Sequence, residues 1–265
     1  MTFISAHRCG AGKHSTDAEV ARMLAHVDDV AGEYVEFDVQ VTRDQGLVVM
    51  HDASVVLDGR RRPVSDLTVD ELRASVPHLT TYEEALVLIA GKRKAHIDVK
   101  FGPRAHAALP PRAEIVVAQR AVEVLGADNV ILTTGEDELV AAMTGWAKAC
   151  HQDLLVGLTL GGTRFGLSPW RQARWLWSEV FPAARVRRSN ANAVAVSSWL
   201  ARLRLARWAA GHDIPLLVWT VDGSRGLSRW LSDPGVWMVA TNVPARAAAI
   251  RSRLTGGHPH RVADS

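Results

Sequence analysis

Short β-type runs alternate with amphipathic stretches along nearly the whole chain. Apolar and β-branched residues concentrate at Phe3–Ala6, Tyr34–Val41, Lys94–Val99, Asn129–Leu132, Leu154–Leu160, Ala193–Val196, Pro215–Thr220 and Val236–Ala240, each of strand length. Between them, segments rich in Ala, Leu, Arg and Glu carry helical spacing: Asp17–Ala31, Tyr82–Ala90, Arg112–Leu125, Glu136–Ala149, Pro169–Val180, Trp199–Ala210, Ser224–Leu231 and Pro244–Leu254. Repeated strand–helix units predict a parallel sheet, and their number favours closure into a (β/α)8 TIM barrel of the α/β class over an open doubly wound sheet. Punctuation supports the helices. Thr81 with Glu84 offers a capping box, Ser168 precedes Pro169 at a helix start, and Gly126 and Gly211 stand where helices should end.

One segment departs from the alternation. After an extended run at Leu47–Met50, Ala53–Pro77 is turn-rich and contains Gly59-Arg60-Arg61-Arg62-Pro63, with a short helix expected over Thr68–Ser75 behind Ser65 or Thr68. It is too short to bury a core of its own, so it predicts an excursion above the barrel rim rather than a domain. Residues 1–254 are thus expected to form one barrel domain, and the polar Gly/His/Pro-containing 255–265 a disordered tail.

Composition changes this picture little. A chain of 265 residues with 48% hydrophobic and 22% charged residues suits one large α/β domain. The formal charge of +3 is slight, and no basic block interleaved with aromatics is apparent, so no nucleic-acid partner is expected. Nine tryptophans follow no repeat, and most are expected in the core or between helices. Cys9 and Cys150 form no metal-binding spacing and at most one disulfide. No apolar run reaches the ~18 residues a membrane span needs. A strand beginning at Phe3 leaves no room for a leader, which makes a cytoplasmic protein the expectation.

The chemistry gathers at strand ends. In Tyr34-Val35-Glu36-Phe37-Asp38-Val39-Gln40, alternation puts Glu36, Asp38 and Gln40 on one face. Carboxylates turned into a barrel need a cation or a proton; the other reading is an edge strand with its charges in water. His96, Asp98 and Lys100 likewise share a face, and Asp98 can complete an all-oxygen site for Mg2+ or Ca2+ with Glu36 and Asp38, unless it simply neutralises Lys100. His96, deeper along its strand, reads as a hydrogen-bonded core histidine. His7-Arg8 closes the first strand and His51-Asp52 follows Leu47–Met50, so two imidazoles stand at strand ends as candidate acid and base. Arg8 offers a fork for phosphate. Cys9 reads as a small residue rather than a nucleophile, and Trp219 as a pocket wall or plain barrel packing. The Gly161–Gly166 loop is a weak candidate for a substrate loop.

Together these residues resemble the glycerophosphodiester phosphodiesterases, within the wider phosphatidylinositol phospholipase C-like superfamily. The resemblance lies in Ala6-His7-Arg8, Glu36-Phe37-Asp38-Val39-Gln40-Val41-Thr42-Arg43-Asp44, Val48-Val49-Met50-His51-Asp52 and Ile97-Asp98-Val99-Lys100. It continues through Val218-Trp219-Thr220-Val221-Asp222 and Ala240-Thr241-Asn242-Val243-Pro244. It implies a TIM barrel acting on a small phosphodiester or lysophospholipid-like substrate in lipid metabolism. Its implied roles are catalysis by His7 and His51, phosphate binding by Arg8 and Lys100, and one divalent cation, Mg2+ or Ca2+, on Glu36, Asp38 and Asp98. Three departures stand out: Cys9 where the family has glycine, Ser15-Thr16-Asp17-Ala18 in place of a Pro-Glu-Asn-Thr run, and Asp98 where glutamate is common. Asp98 with a following lysine also resembles a sphingomyelinase D-like branch that releases cyclic phosphates. A catalytically silent anion-binding barrel is the third alternative.

Overall fold

The computed structural model describes residues 1–57, 59–101, 112–162 and 168–256. Its strands are β1 (Phe3–Ala6), β2 (Tyr34–Val41), β3 (Leu47–Val49), β4 (Ser54–Leu57), β5 (Arg60–Pro63), β6 (Lys94–Val99), β7 (Val130–Thr134), β8 (Leu155–Leu160), β9 (Ala193–Ser197), β10 (Leu216–Trp219) and β11 (Met238–Thr241). Pairing runs β1-β11-β10-β9-β8-β7-β6-β2 and closes through β1–β2, all parallel, so eight strands form the expected TIM barrel. β3 adds antiparallel to the far end of β2.

The helices are α1 (Asp17–Ala25), α2 (Val69–Ser75), α3 (Tyr82–Ile89), α4 (Ala113–Leu125), α5 (Asp137–Ala149), α6 (Pro169–Val180), α7 (Ala183–Ser189), α8 (Ser198–Leu200), α9 (Ala206–Ala210), α10 (Ser224–Leu231) and α11 (Pro244–Gly256), with a π-helical turn at Ala201–Leu205 joining α8 to α9. Three start on complete capping boxes, Thr16 with Glu19, Thr68 with Glu71 and Thr81 with Glu84, each cap contributing about 1 kcal/mol. Thr68, not Ser65, therefore caps α2. Gly126 ends α4 at φ 82°, where a side chain would be strained, whereas Gly211 at φ −73° ends α9 without needing that freedom.

Inward and outward positions alternate along each strand. Outward residues such as Val35, Phe37, Ile97 and Val196 pack beneath the helices. Inward, Tyr34, Ile131, Ala193, Leu217 and Met238 fill the barrel near its amino-terminal end, where Phe3, Tyr34 and Trp237 meet edge-to-face at 5.6–5.8 Å. With that end plugged by apolar side chains, inward polar residues further along the strands face the carboxyl-terminal mouth.

Some expectations need correcting. The excursion holds a β4–β5 hairpin missed by the pattern, because Arg60, Arg61 and Arg62 carry no apolar alternation. It also has a small apolar cluster, Val48, Met50, Val64, Leu67 and Leu72, made possible by sharing residues with the β3 run. Helix α7 went unforeseen; Pro182, which cannot continue the preceding helical turn, separates it from α6. Helix α11 runs to Gly256, two residues past its expected end. Six of the nine tryptophans are buried or half-buried as expected of most of them, while Trp170, Trp177 and Trp199 are exposed. Residues 257–265 of the expected tail and Thr163–Gly166 of the glycine-rich loop lie outside the described residues.

Candidate active site

Strands β2 and β6 lie in register, Glu36 beside His96 and Asp38 beside Asp98. One oxygen each from Glu36, Asp38 and Asp98 comes within 4.8 Å of the others. The Arg8 backbone N–H donates to Glu36 Oε2 at 2.6 Å, and Lys100 Nζ stands 2.5 Å from Asp38 Oδ1 and 3.4 Å from Asp98 Oδ2. Burial raises the Glu36 carboxyl to about 7, with His7 drawing it the other way, and burial also raises that of Asp98. Burial is also the largest influence on Asp38 and would raise it, but Lys100 together with His51 and His7 outweighs burial and holds the carboxyl below its ordinary value. Burial disfavours the Lys100 ammonium, yet Asp38 and Asp98 more than offset that and keep it protonated. Fully ionised, three carboxylates against one ammonium leave two negative charges largely out of water. That donor set, all oxygen and under-neutralised, fits a hard divalent cation.

Each histidine is held by one ring nitrogen. His7 Nδ1 lies 2.8 Å from Asn242 Oδ1, which can only accept, so Nδ1 carries the proton and donates. Asn242 is fixed in turn: its Nδ2 and backbone N–H donate to Asp222 at 2.8 and 2.9 Å, and Thr241 Oγ1 donates to the same carboxylate. His7 Nε2 faces Glu36 Oε2 at 3.8 Å. His51 Nδ1 donates to Asp52 Oδ1 at 2.8 Å, while its backbone N–H donates to Asp17 Oδ1 at 3.1 Å. In both rings Nε2 makes no hydrogen bond among the described residues.

His96 behaves as a core histidine with a further consequence. Ser5 Oγ lies 3.1 Å from His96 Nδ1, His96 Nε2 lies 3.0 Å from Thr133 Oγ1, and Thr133 Oγ1 donates to Asp98 Oδ1 at 2.9 Å. Because the threonine proton goes to Asp98, Thr133 accepts from Nε2–H, and Nδ1 accepts from Ser5. A neutral ring is required, and burial lowers its pKa to about 3. Cys9 is fully buried, donates its S–H to the Glu36 carbonyl, and has its thiol pKa pushed far up by burial, which removes it as a nucleophile. Its φ of 53° explains why a glycine would suit that position.

A cavity of about 450 Å³ opens at the carboxyl-terminal end of the barrel, lined among others by His7, Glu36, His51, Asp98, Lys100 and Trp219. Asp38 lies beneath Lys100, buried. Arg8 does not line the cavity; its Nη1 donates to the Ser15 carbonyl, leaving a buried Nε–H with no partner among the described residues. Sequence reasoning missed the supports: Asp222 and Asn242 behind His7, Asp17 behind His51, and Thr133 behind Asp98. Asp222 and Asn242 carried a signal, as polar residues just past the ends of two predicted strands. Thr133 lay one residue beyond the predicted end of its strand.

The model of the glycerophosphoryl diester phosphodiesterase family matches residues 27–246. No curated protein sequence matches the chain. Among solved structures, a glycerophosphodiester phosphodiesterase from Parabacteroides distasonis superposes with a TM-score of 0.67 at 19% identity, covering 96% of this chain and 98% of that one. One from Thermotoga maritima gives 0.62 at 17% identity, covering 96% and 98%. An Oleispira antarctica phosphodiesterase in complex with the product sn-glycerol-3-phosphate gives 0.64 at 15% identity, covering 93% and 95%. At these identities the superpositions speak for the barrel, and the family match over most of the chain speaks for kinship.

Proposed function

This chain belongs to the glycerophosphoryl diester phosphodiesterase family, which makes it a phosphoric diester hydrolase, and from that premise we propose that it hydrolyses a small glycerophosphodiester to glycerol phosphate and an alcohol by two-histidine acid/base catalysis, within one catalytic unit spanning residues 1–254. The observation carrying this reading is that His7 and His51, each anchored through Nδ1, share one cavity with Glu36 and Asp98, whose carboxylates converge with that of the buried Asp38. The Oleispira relative's product, sn-glycerol-3-phosphate, supports the substrate class.

Glu36, Asp38 and Asp98 would hold one divalent cation, Mg2+ or Ca2+, which when bound supplies Lewis-acid polarisation of the phosphoryl group. Lys100, at the cavity wall, would share the charge of the phosphate, and Arg8, which does not line the cavity, would add its positive charge from behind the wall. One histidine takes on Nε2 the proton of the attacking water, or of a neighbouring substrate hydroxyl whose cyclic phosphate water then opens, and the other gives a proton to the departing alkoxide. Asn242 and Asp52 keep both rings turned with Nε2 outward. Trp219 walls the side of the cavity across from the carboxylates and limits its breadth. An unpaired, exposed Cys150 suits a reducing, cytoplasmic compartment; among the described residues no helix is long and apolar enough to cross a membrane.

The test uses alanine variants of the two histidines on a natural glycerophosphodiester and on an activated aryl phosphodiester. Both should lose about 10²–10⁴-fold in turnover on the natural substrate. The variant lacking the acid should recover much of its rate on the aryl ester, whose leaving group needs no proton, and the variant lacking the base should not. Wild-type turnover in both variants would refute the two-histidine mechanism.

A further inference from the structure

Helix α6 stands apart from every other helix of the barrel. Only Glu179 of its twelve residues is buried, and Trp170 and Trp177 are 77% and 67% exposed. Both attachments of its far end are at the barrel mouth. Glu179 accepts from the Gly161 N–H, just past β8, and pairs with Arg185, which also binds Asp137 and the Gly135 carbonyl above β7. The descent back to the amino-terminal end is made by α7, so α6 is an insertion lying along the carboxyl-terminal rim. Beyond it, Trp177 meets Phe181 at 4.2 Å, and the Arg204 guanidinium lies 4.5 Å over that same ring. This joins α6 to the start of the α8–α9 segment, where Trp199 and Leu203 are also exposed. The groove along α6 shares Gly135 and Glu136 with the active-site cavity, so the patch borders the mouth.

Charge completes the pattern. Residues 168–210 contain eight arginines and one acidic residue, the buried Glu179, in a chain whose total charge is +3; five of them, Arg171, Arg174, Arg202, Arg204 and Arg207, belong to α6 and the α8–α9 segment, while Arg185 and Arg188 of α7 pair with Asp137. This basic, tryptophan-rich stretch corrects the expectation that no basic block interleaved with aromatics is present; the small net charge of the whole chain concealed it. From these observations we propose that α6 and the α8–α9 segment form a docking surface for an anionic lipid bilayer, which turns the active-site mouth toward the membrane.

The chemistry of the patch selects this occupant. Tryptophan and leucine enter the headgroup boundary, and arginine reaches around them to anionic headgroups. Two copies of the patch face to face would set the five arginines of one, Arg171, Arg174, Arg202, Arg204 and Arg207, against those of the other, which disfavours self-association through it. Single-stranded nucleic acid needs a groove that tracks its backbone, whereas the exposed side chains here include the aliphatic Leu176 and Leu203 on a protruding helix. The proposal stands on this surface alone and does not depend on the reaction assigned to the cavity.

Vesicle flotation tests it, with full-length protein and phosphatidylcholine vesicles containing none or about 30% phosphatidylglycerol, near physiological salt. The protein should float with the anionic vesicles and not with the neutral ones. Arg171→Ala/Arg174→Ala should weaken binding about 30-fold, at roughly fivefold per arginine near the surface. Trp170→Ala/Trp177→Ala should weaken it at least about tenfold through lost apolar insertion. All four positions are exposed, and circular dichroism and melting temperature verify that both variants stay folded. Absence of binding would overturn the proposal, as would binding that neither variant weakens. So would sedimentation showing a dimer that the tryptophan variant dissociates, or tryptophan-dependent affinity for a single-stranded oligonucleotide exceeding that for anionic vesicles.

Discussion

Replacing Lys100 with methionine removes the one ammonium that partly neutralises Glu36, Asp38 and Asp98. At an effective dielectric constant of about 20, unit charges at the observed 2.5 and 3.4 Å attract by roughly 7 and 5 kcal/mol. Desolvation of the ammonium opposes this, and a third of the Lys100 side chain remains open to water, which screens the pairs further. A net loss of about 2–4 kcal/mol remains, corresponding to about 4–16 °C in melting temperature for a domain of this size. The loss should be reversible by metal. A divalent cation at about 100 times its Kd contributes about 2.7 kcal/mol, and it binds the variant better because no ammonium competes with it. Differential scanning calorimetry in chelator, then in Mg2+ or Ca2+, reads both effects. Wild-type melting of Lys100→Met in chelator, or an equal cation-induced rise in the two proteins, would refute this account of the cluster.

Asn242→Ala should leave the protein folded but lower kcat about 10–150-fold, the loss of one hydrogen bond to a ring that becomes charged; steady-state kinetics with an unchanged kcat would remove Asn242 from the site. His96 has a folded-state pKa depressed from 6.5 to about 3, so the stability it contributes is present above about pH 6.5 and lost as pH falls toward 3. Between pH 6 and 4 that amounts to about 1.4 kcal/mol per pH unit, and melting curves of His96→Gln should be flatter than wild type by that slope. Asp38→Asn should abolish calorimetric Mg2+ and Ca2+ binding while keeping the fold, and an unchanged affinity would reject Asp38 as a ligand.

The barrel was legible because eight buried parallel strands each read as a compact β-type run, and the helices between them carried their own caps, as at Thr81 and Glu84. The acidic pairing was legible too, since alternation alone sends Glu36, Asp38 and Gln40 to one face. What periodicity does not carry is which strand neighbours which. That Asp98 sits beside Asp38, and that Thr133 links His96 to Asp98, depend on the register of β6 against β2 and β7. The Asn242 and Asp222 support of His7 spans most of the chain length and appears only when β1 closes against β11. The exposed face of α6 was misread for a different reason. Its Trp and Leu spacing looks like that of any packed helix, and only the absence of a partner surface among the described residues distinguishes it.

Phosphorus NMR on a glycerophosphodiester such as glycerophosphocholine, with the wild-type protein in chelator and then in Mg2+ or Ca2+, tests the central claim most directly. The account predicts no change in chelator and, with the cation, loss of the diester signal with growth of a glycerol monophosphate signal. A cyclic diester as the final product, or a diester that persists with either cation across a panel of head groups, would contradict it.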